Sequence, residues 1–325
     1  MNGSAGKLGG GTTPRQVGSA RGRPASSLVV WAIPLAALAV RATEPRSQQT
    51  MPLAYPETRQ QEHVDDYHGT LVPDPYRWLE DPDSEETRTW IRAQNQLTFA
   101  WLERLPTRER LRTRLEQVWN YERYGLPQAR RGRYFFSRND GLQNQSVLYW
   151  SDGLAGEPQV LLDPNQLDSS GATHIDWYAP SPDAKLVAVS LSKHGSEDGT
   201  LHFFDVATGN AVGETIPRVQ YPTAGGSATW NTDGSGIFYT RYPAAGERPP
   251  DDMHFYQQVY FHKLGTPVAQ DTYEIGKEFP RIAEIELQTG PGGQVLASVA
   301  NGDGGDFAHW LREKDGKWRQ ITRFE

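Results

Sequence analysis

Asp233–Thr240 reads DGSGIFYT, a glycine-rich turn that leads into a run of β-branched and aromatic residues. Residues of the second kind favour strands, and glycine beside aspartate favours the tight turn before them. The same order of turn and strand occurs three more times, at Gly132–Ser137, Asp183–Ser190 and Gly292–Ser298. The chain therefore contains a repeated turn-and-strand unit.

A second strand-like run follows each unit after a loop. These runs are Ser146–Trp150, Leu201–Val206, Val259–Leu264 and Ala308–Leu311. The apolar anchors of the four units are 52, 51 and 58 residues apart, and they are Tyr134, Leu186, Ile237 and Val295. This period, with several strands and no helix per unit, is typical of β-propeller blades, whereas a β-sandwich has no reason to repeat at this interval. The sequence predicts a mainly β fold with about four propeller blades.

An α-helical N-terminal arm is predicted ahead of these blades. Asp74–Ser84 reads DPYRWLEDPDS, and its two prolines favour a rigid, non-helical segment. Asp83 is the expected N-cap of the next helix, and Glu86 completes a capping box. One face of this helix is expected to form an apolar stripe, from residues at steps of three or four. These are Trp90, Gln94, Leu97, Trp101 and Leu105. A second helix is expected after Thr107, with one face formed by Leu111, Leu115 and Val118.

The composition is that of a soluble globular protein, because 22% of the 325 residues are charged and 37% are hydrophobic. The chain has no cysteine, which excludes disulfides, cysteine-zinc sites and thiol catalysis. Residues 1–50 carry six basic side chains and one acidic, a balance of +5, so the total of −7 leaves −12 for residues 51–325. An acidic body argues against nucleic acid and anionic membranes as partners, since both require a positive surface.

Residues 1–50 are predicted to form a disordered or signal-like leader. Leu28–Val40 is an apolar run that is preceded by basic residues, and Ala37–Ala39 fits a small-residue cleavage site. The alternative is that translation begins at Met51. The expected location is periplasmic or secreted if residues 1–42 act as a signal peptide, and cytoplasmic if translation starts at Met51.

Three short strings carry a resemblance to a known family. They are Tyr67–Gly69 (YHG), Asp74–Asp81 (DPYRWLED) and Gly141–Gln145 (GLQNQ). From about Tyr55 to its end, the chain resembles the N-terminal part of prolyl oligopeptidases. These are serine peptidases in which a seven-bladed β-propeller caps an α/β-hydrolase domain.

The resemblance implies a domain organisation and partners. Residues 51–125 would form the helical arm that packs on the hydrolase domain, and residues 126–325 would form an incomplete propeller. The family's Ser, Asp and His follow the propeller, so the α/β-hydrolase domain is absent from this sequence and becomes an expected partner. We accordingly expect a fragment or a truncated gene product. Without that partner, the face that carries Tyr76, Trp78, Trp90 and Trp101 is expected to be uncovered.

The sequence offers no convincing catalytic residue. A hydrolase nucleophile sits on a strand-to-helix turn of the form Gly-x-Ser-x-Gly, and the nearest match, around Ser227, lacks the final glycine and a following helix. The eight histidines are scattered, so no metal or cofactor is expected, and His68 is expected to support local packing. Gly302–Asp306 lacks the alternating ligands of a calcium loop and predicts a tight turn. Ile237 is the one candidate for the substrate path, by its position in the family-like string, and its other interpretation is a blade-core residue.

Two functional hypotheses follow. In the first, the chain is the helical arm and the substrate-gating propeller part of a serine peptidase that cleaves short peptides after proline. It is then inactive alone, because the catalytic triad lies elsewhere. In the second, the chain is a standalone propeller-like module that binds proteins or peptides. The second hypothesis requires the strand edge of the last blade to be protected.

Overall fold

The computed structural model describes residues 53–324. The predicted leader, residues 1–50, therefore lies outside the described residues. The chain divides into two compact units, one up to Gln94 and one from Asn95 onward. This division falls inside the first helix, whereas the sequence placed the boundary between arm and propeller at residue 125. Among the described residues no helix has both the length and the apolar character needed to cross a membrane.

The first unit contains an antiparallel hairpin of β1 (Val64–Tyr67) and β2 (Thr70–Pro73). His68 and Gly69 form its two-residue turn with φ of 57° and 90°. Both central residues of such a turn need positive φ, and the N–H of Gly69 donates to Asp66 Oδ1 at 2.6 Å. His68 occupies this turn with an exposed side chain, so the structure does not show the expected packing role.

The long helix, α1 (Glu85–Glu103), begins one residue later than predicted. Ser84 rather than Asp83 acts as its cap, because the Ser84 hydroxyl accepts from the N–H of Thr87 at 3.2 Å. Glu86 does not complete a capping box, since its carboxylate binds the guanidinium of Arg59. The predicted capping box was wrong because Glu86 pairs with Arg59, which is distant in the sequence.

The aromatic face of the arm is partly covered by the preceding chain. Trp78 Nε1 donates to the carbonyl of Arg59 at 2.9 Å, and Trp90 Nε1 donates to Thr58 Oγ1 at 2.9 Å. A tryptophan packs its ring against apolar surface while its N–H finds an acceptor. Trp78 and Trp90 are therefore partly buried, whereas Tyr76 and Trp101 are 39% and 45% exposed, as expected for an uncovered face.

The second unit opens with the end of α1 and with α2 (Arg108–Trp119). Thr107 precedes α2 as predicted, but its side chain makes no capping hydrogen bond. Leu111, Leu115 and Val118 lie on one face of α2 and are each about half exposed. This helix carries an apolar face that the described part of the unit does not bury.

Four antiparallel sheets follow in chain order. The first contains β3 (Arg123–Tyr124), β4 (Gln128–Arg130), β5 (Arg133–Asn139), β6 (Val147–Asp152) and β7 (Gln159–Leu162), and a short helix, α3 (Pro164–Leu167), comes after it. The second contains β8 (Thr173–Pro180), β9 (Leu186–Lys193), β10 (Gly199–Asp205) and β11 (Ala211–Gln220). The third contains β12 (Ala228–Trp230), β13 (Gly236–Arg241), β14 (Gln258–Lys263) and β15 (Thr272–Ile275). The fourth contains β16 (Ala283–Thr289), β17 (Val295–Asn301), β18 (Phe307–Arg312) and β19 (Trp318–Thr322).

These sheets, which we call blades 1 to 4, confirm the predicted count. In blade 1 the strand order is β3-β5-β6-β7, and β4 pairs with β5 off this path. With β4 left aside, the four sequence anchors all lie on the second strand of a blade (β5, β9, β13 and β17), and the runs that follow them lie on the third (β6, β10, β14 and β18). The period of the sequence is therefore the period of the blades. Blade 4, the last of the described sheets, has all four strands.

Neighbouring blades pack through apolar side chains that alternate along the strands. Phe135 and Trp150 of blade 1 meet Val187 and Phe204 of blade 2. Similar clusters lie between blades 2 and 3 and between blades 3 and 4. Each fully buried side chain of this size contributes about 1.5–3 kcal/mol through the hydrophobic effect. Packing of one blade face on the next is what holds a propeller together.

Candidate functional site in the groove of the first strands

The first strands of blades 2, 3 and 4 lie side by side and form the wall of a groove. With β4 of blade 1 they enclose a concave space of about 1210 Å³. The side chains that line it include Gln128, Arg130, Trp177, Thr229, Glu284, Glu286 and Gln288. A concave, mixed polar and aromatic surface of this size is the kind of place where proteins bind ligands.

Strand alternation in β16 explains why charges face this groove. Ala283, Ile285 and Leu287 are buried between blades. Because successive side chains of a strand point to opposite faces, Glu284 and Glu286 lie on the other face and line the groove. This part of the wall is acidic and solvent-accessible.

Ser227 lies at this groove, and its hydroxyl links two blades. Its Oγ accepts from the N–H of Leu287 at 2.9 Å. Next to it, Thr229 Oγ1 accepts from the N–H of Thr289 at 3.1 Å. The two hydroxyls therefore hold blade 4 on blade 3. No histidine is among the hydrogen-bond partners that the described residues give Ser227, so its arrangement is structural and lacks a general base.

A serine, histidine and aspartate that the sequence analysis missed come together in blade 2. Ser192 Oγ donates to Asp176 Oδ1 at 2.5 Å, and His174 Nε2 lies 3.1 Å from Ser192 Oγ and 3.0 Å from Asp176 Oδ1. A proton relay needs the aspartate on one ring nitrogen and the serine on the other. Here Nε2 is the nearer nitrogen to both groups, with Nδ1 3.4 Å from Ser192 Oγ, and the buried Ser192 hydroxyl donates its proton to Asp176. The cluster satisfies a buried carboxylate and does not form a nucleophile.

A second polar cluster is buried in blade 3. His262 Nδ1 lies 2.7 Å from Asp271 Oδ1, and the Tyr239 hydroxyl donates to Asp271 Oδ2 at 2.7 Å. The His262 and Asp271 side chains are 2% and 4% exposed, and Phe203 stacks on the imidazole. Burial and the neighbouring Asp271 carboxylate raise the pKa of Tyr239 well above its usual value. His262 and Asp271 sit on β14 and just before β15, and only the strand pairing reveals that they meet.

Ile237 occupies the blade interior. None of its side chain is exposed, and it packs with Phe203, Trp230 and Tyr239 between blades 2 and 3. Ile237 does not line the groove. The position of Ile237 in this structure is that of a blade-core residue.

The segment Gly302–Asp306 contains the tight turn that the sequence predicts. Gly302–Gly304 form a short helical turn between β17 and β18, and Gly305 follows with φ of 81°. A positive φ at glycine is what a tight turn requires. Within residues 53–324 no group of three or more His, Cys, Asp or Glu side chains could hold a metal ion.

The arrangement of the sheets defines the class of this domain. Four antiparallel sheets, packed face to face in chain order with their first strands around a groove, make this unit a β-propeller domain. Residues 55–323 match the sequence family described as the prolyl oligopeptidase N-terminal β-propeller domain, and the chain belongs to this family. The resemblance carried by the YHG, DPYRWLED and GLQNQ strings is thereby confirmed.

The relatives are peptidases that are much longer than this chain. A prolyl endopeptidase of Elizabethkingia meningoseptica is 37% identical over 284 residues, which cover 86% of this chain and 39% of that protein. Prolyl oligopeptidase A of Galerina marginata is 32% identical over 256 residues, covering 68% of this chain and 34% of that protein. The chain thus spans less than two fifths of the length of these relatives.

Solved structures support the same fold. A prolyl endopeptidase structure superposes with a TM-score of 0.74 at 28% identity, covering 84% of this chain and 40% of that one. Prolyl oligopeptidase B of Galerina marginata, solved with a bound 35-residue substrate, superposes with a TM-score of 0.68 at 24% identity, covering 84% of this chain and 42% of that one. The second likeness supports the fold alone.

Proposed function

We propose that this chain is the helical arm and the substrate-gating propeller part of a serine peptidase that cleaves short peptides after proline. The observation that carries the proposal is the groove along the first strands of a propeller whose relatives are prolyl endopeptidases. In this role the propeller selects peptides by size, and a separate α/β-hydrolase domain supplies the Ser-His-Asp triad.

The geometry of the groove supports a gating role. Its wall consists of hydrogen-bonded strands, and the contacts of Ser227 and Thr229 fix blade 4 on blade 3. A rigid wall of this kind admits an extended peptide, whereas a folded protein is too large to enter a space of about 1210 Å³. The glutamates and Trp177 on the wall offer polar and stacking contacts to a passing peptide.

The chemistry supports an inactive propeller. Acyl transfer needs a nucleophile, a base that takes its proton and donors for the oxyanion. Among the described residues, Ser227 is engaged by a backbone amide, and Ser192 shares one imidazole nitrogen with Asp176. We infer that this chain alone hydrolyses no peptide, and that the half-exposed face of Leu111, Leu115 and Val118 on α2 is one place where the hydrolase domain docks.

The test is peptidase activity on a short chromogenic peptide with proline before the cleaved bond. The chain is assayed alone and after mixing with a separately expressed hydrolase domain of a relative. We expect cleavage that needs the hydrolase domain, and a preference for the short peptide over a folded protein that appears only when the propeller is present. The matched control is a propeller chain with Leu111→Asp and Leu115→Asp, which keeps the blades but loses the proposed contact.

Other outcomes have a clear meaning. Cleavage by the chain alone would overturn the proposal and direct attention to Ser227 and Ser192. A chain that melts cooperatively, but never changes the size preference of the hydrolase domain, would favour the alternative of a peptide- or protein-binding module.

A further inference from the structure

A second concave site lies away from the groove, at the end of blade 3. It encloses about 450 Å³ between the end of β13, the start of β14 and the chain after β15. Its lining residues are Arg241, Tyr242, Pro243, Glu247, Arg248, Gln258, Tyr260 and Lys277. We call this site the blade 3 pocket.

One cation and the single carboxylate of the blade 3 pocket neutralise each other. Arg241 donates through Nη1 and Nη2 to the two oxygens of Glu247 at 3.0 and 3.1 Å. Glu247 Oε2 also accepts from the N–H of Ala244 at 2.8 Å. Such a bidentate pair is strong and fixed in geometry. Glu247 therefore has little capacity left for another cation.

Two further cations, Arg248 and Lys277, face the same pocket. Neither has an ion-pair partner among residues 53–324. Aromatic rings hold them in place instead. The guanidinium carbon of Arg248 lies 3.7 Å from the centre of the Tyr256 ring, and Lys277 Nζ lies 4.3 Å from that of Tyr273. A cation held by a ring loses less side-chain entropy when it binds an anion.

The loop that carries Arg248 is itself well anchored. The N–H of Tyr256 donates to the carbonyl of Arg281 at 2.9 Å, and Arg281 Nε binds Asp252 Oδ1 at 2.9 Å. Arg281 also stacks on Phe255, 3.5 Å from its ring centre. On the other segment, the N–H of Lys277 donates to the Tyr273 hydroxyl at 3.0 Å, so both cations project from segments with defined positions.

The sign of this pocket contrasts with the rest of the protein. Three cations and one carboxylate give its lining a balance of +2, whereas residues 51–325 together carry −12. A local excess of positive charge on an acidic body attracts anions to that one place. The wall also contains the partly buried ring of Tyr260, on which the Arg241 guanidinium stacks 4.3 Å from the ring centre. The pocket thus combines a concave space of about 450 Å³ with two cations that have no ion-pair partner among the described residues.

We propose that the blade 3 pocket binds the free C-terminal carboxylate of a short peptide. Arg248 and Lys277 contact the two carboxylate oxygens, and the last side chain of the peptide lies beside the Tyr260 ring. The identification of the anion as a peptide terminus rests on the function proposed above. The pocket then holds the C-terminal end of a peptide outside the groove. It favours peptides with a free C-terminus over internal segments of longer chains, which have no terminal carboxylate.

The test compares a short proline-containing peptide with its C-terminal amide, by calorimetric titration into the full chain. The free acid is expected to bind about tenfold more tightly, because only the acid makes charge-assisted hydrogen bonds. Arg248→Gln and Lys277→Gln should each weaken binding of the acid about threefold and leave the amide unchanged. Added salt should reduce the preference, since the contacts are partly exposed. Lys314→Gln, at an exposed lysine in the turn between β18 and β19, is the matched control and should keep it.

Equal affinity for acid and amide, or a preference that survives in the Arg248→Gln and Lys277→Gln double variant, would overturn the proposal. Absence of binding of either peptide would also overturn it. Failure of the proposed function has a different signature, in which the mixture with a hydrolase domain cleaves nothing while the acid is still preferred in the titration.

Discussion

Arg312 Nε lies 2.7 Å from Glu274 Oε2, although the two residues belong to different blades. Arg312 ends β18 of blade 4, and Glu274 lies in β15 of blade 3. The same carboxylate oxygen accepts from Trp318 Nε1 at 2.9 Å, and the Glu274 side chain is only 10% exposed. One buried carboxylate therefore joins two strands of blade 4 to the outer strand of blade 3.

Replacement of this carboxylate should destabilise the protein. Glu274→Ala leaves the Arg312 guanidinium and the Trp318 N–H without their acceptor, and we expect a loss of about 2 kcal/mol in the free energy of unfolding, less than for a fully buried pair. Urea denaturation measures the change. Glu313→Ala is the control, because its pair with Arg319 is exposed and should contribute less than about 0.5 kcal/mol. Equal losses in the two variants would contradict the assigned role of Glu274.

Ser227 should behave as a structural hydroxyl. Ser227→Ala leaves the N–H of Leu287 without an acceptor at the contact between blades 3 and 4, and we expect a cost of about 1–2 kcal/mol in thermal or urea unfolding. A fluorophosphonate probe, which labels activated serines, should leave the intact mass of the wild-type chain unchanged. Labelling at Ser227 would show that the serine is activated after all.

Ile237 should contribute to stability through the core. Ile237→Ala empties space among Phe203, Trp230 and Tyr239, and large-to-small changes at such sites cost about 2–5 kcal/mol. Ile321→Ala is the control, since that side chain is 47% exposed and should cost less than about 1 kcal/mol. If Ile237→Ala were as stable as the wild type and changed only the peptide concentration needed for half-maximal rate in the reconstituted mixture, Ile237 would belong to the substrate path.

Stability should fall in alkaline solution. Burial raises the pKa of Tyr242 to about 12, and burial with Asp271 raises the pKa of Tyr239 further. Above the ordinary tyrosine pKa of about 10, the unfolded chain releases protons that the folded chain retains, so each tyrosine removes about 1.4 kcal/mol per pH unit up to its folded pKa. Urea denaturation between pH 9 and 11, with tyrosinate absorbance followed in parallel, measures this slope. Tyr242→Phe should make it shallower, and an unchanged slope would contradict the assignment.

The repeated strands of the fold could be predicted from the sequence because each blade contains the same turn-and-strand pattern. The second and third strands of each blade are rich in β-branched and aromatic residues, so the same pattern can be recognised four times in one sequence. The first strands were missed. β12 has three residues, and β16 alternates glutamate with aliphatic residues, so neither shows an apolar run. Those strands form the groove, and the site was therefore harder to predict than the fold.

Local signals failed where a distant group competed. Asp83 and Glu86 matched a capping box, yet Arg59 binds Glu86 and Ser84 caps α1. His262 and Asp271 are nine positions apart, and the network that they form with Tyr239 depends on how β13, β14 and β15 pair. Sequence spacing carries no information about such a contact until the register of the strands is known.

The sequence by itself determined the mainly β class, the number of blades and the family, because each depends on short-range patterns and strings that repeat or match. Tertiary structure decided which side chains face the groove, why Ser227 is a link between blades, and how Arg248 and Lys277 reach one pocket with Arg241 and Glu247. The physical reason is that burial and pairing arise between strands far apart in the chain, where the packing of one blade on the next fixes what each side chain meets.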